Sequence, residues 1–188
     1  AESVSGPGSN LSETEAIRNE LPELCRKFKI QTILDIPCGD FNWIKEVELP
    51  IESYIGADIV SALVALNSTR YGDHTHTFAH LDLVEDKLPA VDLILCRDVF
   101  IHFPFKEIRK ALANIVASGS KYLLTTTYVD RDNNKDIFFG EFRPVNLERS
   151  PVRLPSPIIL IDEKSPNELY ADKHLGLWKV TDLEITLR

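Results

Sequence analysis

Between residues 30 and 128, short β-branched apolar runs alternate with segments of helical period, and this alternation restricts the chain to βαβ units. Residues 30–36, 54–59, 77–81, 91–97 and 121–128 read as strands; most are apolar on both faces, as strands buried in a parallel sheet are. A helix over 61–71 is stopped by Gly72. Pro104 opens another, with Phe105, Ile108, Leu112, Ile115 and Val116 on one face and Gly119 just past its end. Parallel strands need crossover connections, so the expected architecture is α/β, a doubly wound, mostly parallel sheet.

The flanks carry different signals. Residues 1–10 are small, polar and rich in Gly and Pro, which predicts an extended or turn-rich arm. Ser12 and Glu15 have capping-box spacing, with Leu11 and Ala16 placed as a hydrophobic staple. Ile17, Leu21, Leu24, Cys25 and Phe28 then share a helical face, and Pro22, lacking an N–H, is expected to break that helix into two pieces. A short helical stretch is expected around Trp43 to Val47. After Asp130 the pattern changes: residues 131–157 read as a long loop, followed by strand-like runs at 157–161 and 177–187 that suit an antiparallel edge pair. A chain of 188 residues fits one domain.

Charge and cysteine usage narrow the function classes. With 29 acidic against 21 basic residues, the formal charge of -8 repels phosphate backbones, and no basic stripe overrides it, so nucleic acid is not an expected partner. No apolar run approaches the roughly 18 residues of a membrane span, and no secretory leader is visible. Cys25, Cys38 and Cys96 are odd in number and widely spaced, which suggests neither a disulfide framework nor a zinc site and makes a reducing cytoplasm the expectation. His74, His76 and His80 have metal-like spacing but no further ligands beside them, so they read as polar edge residues and no metal site is expected.

In a doubly wound sheet, ligands sit at the carboxyl ends of the strands near the point where strand order reverses. The first strand ends in Asp35-Ile36-Pro37-Cys38-Gly39-Asp40-Phe41, and Asp58 stands 19 residues beyond Gly39 at the end of the second. A carboxylate there can accept hydrogen bonds from both hydroxyls of a ribose. The turn is poorly suited to a pyrophosphate: Pro37 has no N–H to donate, Phe41 is bulky, and Asp35 would repel phosphate while suiting a cationic amine. S-adenosylmethionine carries such an amine and no phosphate.

These residues resemble class I S-adenosylmethionine-dependent methyltransferases. LDIPCGDFNW is similar to that family's first motif, YIGADIV to its second, and HLDLVEDKLPAVDLILCRDVFIHFP to its third and fourth together. The resemblance covers residues 30–128, and SGPGS with the helix after it resembles the N-terminal element of a bacterial subgroup with an LD-x-PCGD-x-x-W first motif. Two features depart from the family: only Gly39 remains of its usual glycines, and the loop at 131–157 replaces its usual helix after the fifth strand.

The resemblance implies a seven-stranded Rossmann-like methyltransferase fold with an antiparallel edge hairpin, and S-adenosylmethionine as cofactor, leaving as S-adenosylhomocysteine. It implies that Asp35, Cys38 and Gly39 line the methionine part, Asp58 and Ile59 the ribose, Asp82 and Leu83 the adenine, that Arg97 forms the wall beneath the sulfonium, and that Pro37, Asp40 and Trp43 also belong to the cofactor site. Trp43 or Phe41 is placed for a cation–π contact to that sulfonium. His102 and Asp98, beyond the fourth strand, are the candidate catalytic residues: His102 suits proton removal at neutral pH, and Asp98 is either a base itself or the group that orients His102. Arg143, Asn146, Glu148 and Arg149 belong to a loop expected to cover substrate. The expected reaction is methyl transfer to an oxygen or nitrogen of a small-molecule acceptor such as a sugar or metabolite. The alternatives are a nicotinamide-dependent oxidoreductase and a non-catalytic cofactor-binding domain. Acceptor identity and oligomeric state stay open.

Overall fold

The computed structural model describes residues 2–186. Its elements run α1 (Leu11–Phe28), β1 (Thr32–Asp35), β2 (Ser53–Asp58), α2 (Ser61–Tyr71), β3 (His76–His80), β4 (Leu93–Cys96), α3 (Phe105–Ala117), β5 (Tyr122–Tyr128), β6 (Ile159–Asp162), β7 (Lys173–Lys179) and α4 (Val180–Thr186). Seven strands form one sheet in the order β3-β2-β1-β4-β5-β7-β6. The first five pair in parallel, and β7 runs antiparallel between β5 and β6. The expected fold class is therefore the observed one.

Successive strand residues point to opposite faces, so the apolar runs supply two cores at once. Leu93 and Leu95 of β4 pack on one face with Ile17, Leu21 and Leu24 of α1. Ile94 and Cys96 pack on the other with Ile108, Leu112 and Ile115 of α3, all fully buried. Each such side chain contributes about 1.5–3 kcal/mol on leaving water. The sheet edge that carries the strand ends is thus held between two rigid layers.

Several local expectations are corrected. The first helix is continuous through Pro22, not two pieces, and it starts at Leu11 with Asn10 as its cap. The Ser12–Glu15 box does not form; Glu2 Oε1 accepts the Leu11 N–H at 2.6 Å instead. The last strand spans Lys173–Lys179, earlier than the 177–187 run, and Val180–Thr186 is helical; Leu187 lies outside the described residues. Leu183 is fully buried in the core that α3 lines, so tertiary packing overrides the strand-like alternation there. The edge hairpin forms with β7 inside the sheet and β6 at its rim. Residues 129–158 contain neither helix nor strand, in keeping with the long-loop reading of 131–157. Among the described residues, no helix is long and apolar enough to cross a membrane.

Candidate active site

Strand order reverses between β1 and β4, and a cavity of about 900 Å³ opens at the carboxyl ends of the strands beside that point. β1 delivers Asp35 to its wall, β2 delivers Asp58, the residues after β4 deliver Arg97 and Asp98, and β5 delivers Tyr128. Because β7 is antiparallel, its first residue lies at the same edge: Lys173 pairs in register with Tyr128. Glu163, just past the end of β6, comes to that edge as well, its N–H donating to the Lys173 carbonyl at 3.2 Å.

The turn after β1 is held from two sides. Asp58 accepts the Gly39 N–H on Oδ2 at 3.1 Å and the Val60 N–H on Oδ1 at 2.8 Å. Val60 stands at the N-cap position of α2, with no side-chain capping bond. Asn67 of α2, buried and unremarked in the sequence, donates to the Gly39 carbonyl at 2.8 Å. Gly39 has a φ of 54°, and a Cβ built there would lie 2.2 Å from Ser5 Oγ, so both its backbone and its neighbour require glycine.

Ser5 belongs to the N-terminal arm, which is a wall of the cavity and not a free extension: Val4 to Ser9 all line it. The Asp40 carboxylate fastens the arm by accepting from Ser3 Oγ at 3.0 Å, the Val4 N–H at 2.8 Å and Ser5 Oγ at 3.2 Å. Arg97 Nη1 donates to the Gly8 carbonyl at 2.7 Å, and Asn42 Nδ2 to the Ser9 carbonyl at 3.0 Å.

Two acids of the site, Asp35 and Asp98, have opposite electrostatics. Asp35 is 3% exposed and accepts the Tyr54 hydroxyl at 2.5 Å. Burial pushes its pKa up to about 7; the Tyr54 hydrogen bond lowers it, the Asp58 charge raises it, and Arg97 lowers it in part. Asp98 is also desolvated, yet its pKa falls below the ordinary value because Arg97 and Lys173 hold it ionised. Lys173 Nζ lies 2.8 Å and Arg97 Nη1 3.2 Å from Asp98 Oδ2, and Thr126 Oγ1 donates to Oδ1 at 3.1 Å. Glu163 Oε2 completes the cluster, 2.6 Å from Arg97 Nη2 and 3.1 Å from Lys173 Nζ. Two acids and two cations balance there.

His102 lines the cavity from a short 3-10 turn, Phe100–His102. Its Nδ1 lies 2.9 Å from the Glu141 carbonyl. A carbonyl only accepts, so Nδ1 carries a hydrogen, and in the neutral ring the lone pair is on Nε2.

Of the other residues expected at the site, Pro37, Cys38, Gly39, Trp43 and Ile59 line the cavity. Asp40 lies off its wall and holds the arm. Asp82 and Leu83 are also off the wall: Asp82 Oδ1 accepts the Val84 N–H at 2.7 Å, and Leu83 is buried in the core. Phe41 is buried among Tyr54, Tyr71 and Phe78, while Trp43 has the Arg97 guanidinium 5.9 Å from its ring centroid. In the long loop, Arg143 donates to the carbonyls of Phe100 and Phe103 at 2.8 and 2.9 Å, and Asn146 to that of Val129 at 3.0 Å. Those two residues staple the loop down, neither they nor Glu148 and Arg149 line the cavity, and Phe142 is the loop residue that does. Among the described residues, no cluster of His, Cys, Asp and Glu is placed to hold a metal.

No family profile matches the chain, and no curated protein matches it in sequence. Solved structures do match. The N-methyltransferase NodS from Bradyrhizobium japonicum WM9 superposes with a TM-score of 0.65 at 13% identity, over 89% of this chain and 96% of that one. An S-adenosylmethionine-dependent methyltransferase from Clostridium acetobutylicum ATCC 824 gives 0.63 at 12% identity, over 88% and 91%. The fold is that of the S-adenosylmethionine-dependent methyltransferases. CalS10, an amino pentose methyltransferase from Micromonospora echinaspora solved with S-adenosylmethionine bound, gives 0.50 at 18% identity, over 61% of this chain. The match spans only 50% of the CalS10 chain. At these identities the methyltransferase fold is what is shared, and activity must be argued from the site.

The donor set fits that cofactor. Asp35 and Asp58 are carboxylates at the two strand ends, and the two lining cations, Arg97 and Lys173, are already paired with acids. A cationic nucleoside without phosphates suits such a wall; a pyrophosphate does not.

Proposed function

We propose that the chain, as a single domain, transfers the methyl group of S-adenosylmethionine to an oxygen or nitrogen of a small-molecule acceptor and releases S-adenosylhomocysteine. The observation that carries this reading is the pair Asp35 and Asp58: one buried acid lacking a cation of its own, and one held beside Gly39 by two backbone N–H groups. Asp58 receives the ribose hydroxyls, and Asp35, ionising as it does so, faces the ammonium. The cofactor supplies a methyl group already activated on a sulfonium, so the protein's work is alignment and proton removal. His102 Nε2 takes the acceptor's proton. Asp98, with both oxygens engaged, orients Arg97 and Lys173 and is not the base. The loop over 131–157 covers the acceptor through Phe142.

Calorimetry with S-adenosylhomocysteine tests the reading, with oxidised and reduced nicotinamide dinucleotides titrated in parallel. Micromolar binding of the first alone is expected. Asp58→Ala removes two charge-assisted hydrogen bonds of about 1.5–3 kcal/mol each, so affinity should fall at least tenfold. Unchanged affinity in that variant, or preference for a dinucleotide, would overturn the assignment.

A further inference from the structure

The half of the cavity away from Asp35 and Asp58 is walled by rings. Tyr128, Tyr170 and Phe142 follow one another edge to face, with centroids 6.0 and 5.5 Å apart, and His102 continues the strip 5.9 Å from Phe142. All four line the cavity, and they come from four separate segments: the 3-10 turn after β4, the end of β5, the β6–β7 connection and the loop pinned by Arg143. Phe142 is 44% exposed, a large apolar area left open beside a candidate base. The neighbouring Phe138, Phe139 and Leu169 are more exposed still, at 82%, 67% and 73%.

Charge on the same wall is one-sided. Glu13, Asp35, Asp58 and Asp98 line the cavity against Arg97 and Lys173. Both cations are already engaged by Asp98 and Glu163, and the Arg131 guanidinium that covers Tyr128 is paired with Asp172. An anionic acceptor therefore meets rings and acids but no available counter-ion. A neutral or cationic group is favoured by both, since ring faces attract cations. With the cofactor seated at the ends of β1 and β2, the strip faces the remaining space.

We infer that the acceptor is a ring-bearing amine or alcohol, stacked on Tyr170 and Phe142 with its nucleophilic atom toward His102, and that anionic acceptors are rejected. This rests on the methyltransferase reading, so the experiment separates the two. Benzylamine, benzyl alcohol and benzoate share one ring and differ in charge; each is titrated by saturation-transfer NMR into protein saturated with S-adenosylhomocysteine, which blocks Asp35 as an amine site. Benzylamine and benzyl alcohol should bind at least tenfold more tightly than benzoate. Phe142→Ala and Tyr170→Ala should each weaken benzylamine at least fivefold while S-adenosylhomocysteine affinity stays within twofold. Binding blind to charge, binding unaffected by both variants, or no binding of any probe overturns the inference while leaving the methyltransferase reading in place. If S-adenosylhomocysteine itself fails to bind, that reading falls; the three probes are then run on the free protein, where amine preference lost in the two variants still supports the ring site.

Discussion

The two sides of the cavity treat buried charge in opposite ways. On the β1–β2 side, Asp35 is sealed from water without a cation, its proton retained up to about pH 7. On the β4–β7 side, Asp98, Arg97, Glu163 and Lys173 neutralise one another at 2.6 to 3.2 Å. A cluster whose two acids and two cations answer one another acts as scaffold, because it offers a ligand little net charge. An acid kept waiting marks the place where a ligand brings the missing charge.

If the sides divide labour in this way, each should fail on its own terms. The largest effect is expected from His102→Ala: turnover of a ring-bearing amine or alcohol should drop 10²–10⁴-fold with S-adenosylhomocysteine affinity unchanged, the reverse of the Asp58→Ala phenotype. Equal losses in both variants would erase the distinction. Next comes Arg97→Met, which leaves Glu163 and Asp98 with one cation between them. Removing one partner of a buried pair costs about 3–5 kcal/mol, readable as a shifted midpoint in urea denaturation. A loss below about 1 kcal/mol would mean the cluster does not act as scaffold.

Asp35→Asn should do the opposite to stability. The folded-state pKa of Asp35 lies above its unfolded value, so its contribution is present below about pH 4 and is lost as pH rises through 7. Replacing it by a neutral isostere should therefore stabilise the ligand-free protein by about 1–3 kcal/mol at pH 8 and have little effect at pH 4. Binding has the complementary sign. Ionised Asp35 is the form that meets an ammonium, so S-adenosylhomocysteine affinity should weaken as pH falls below 7, by up to about tenfold per unit. Calorimetry from pH 5.5 to 8.5 checks this, and the Asn variant should flatten the profile. A wild-type profile that is already flat would place the ammonium elsewhere.

The same division runs through what the sequence could tell. Strands β1 to β5 and the acids Asp35 and Asp58 were legible because apolar runs and strand-end positions are local signals. The partners of Arg97 were not: Glu163 and Lys173 stand 66 residues from it and 75 from Asp98 respectively, joined only by the register of an antiparallel strand. That strand was misplaced because the alternation at 180–187 mimics one, although Val180 and Leu183 bury on a helix face. The arm gave no hint of its role. Its small polar residues find Asp40 some 35 to 37 positions away, and nothing local marks a Ser-Gly-Pro run as a wall. Asp82, legible as a strand-end acid, also accepts the Val84 N–H in the turn after β3, a bond the sequence does not announce.

That arm also sets a clock. Ser3, Val4 and Ser5 share one carboxylate, and Ser5 sits on Gly39 where a ligand's tail would pass. A ligand that enters over Gly39 would have to wait for those bonds to open. If opening costs about 3 kcal/mol, only about one molecule in 150 is receptive at any instant, and apparent on-rates fall by that factor. Once the arm has closed again, departure would be slowed likewise, so a bound ligand's residence time would lengthen.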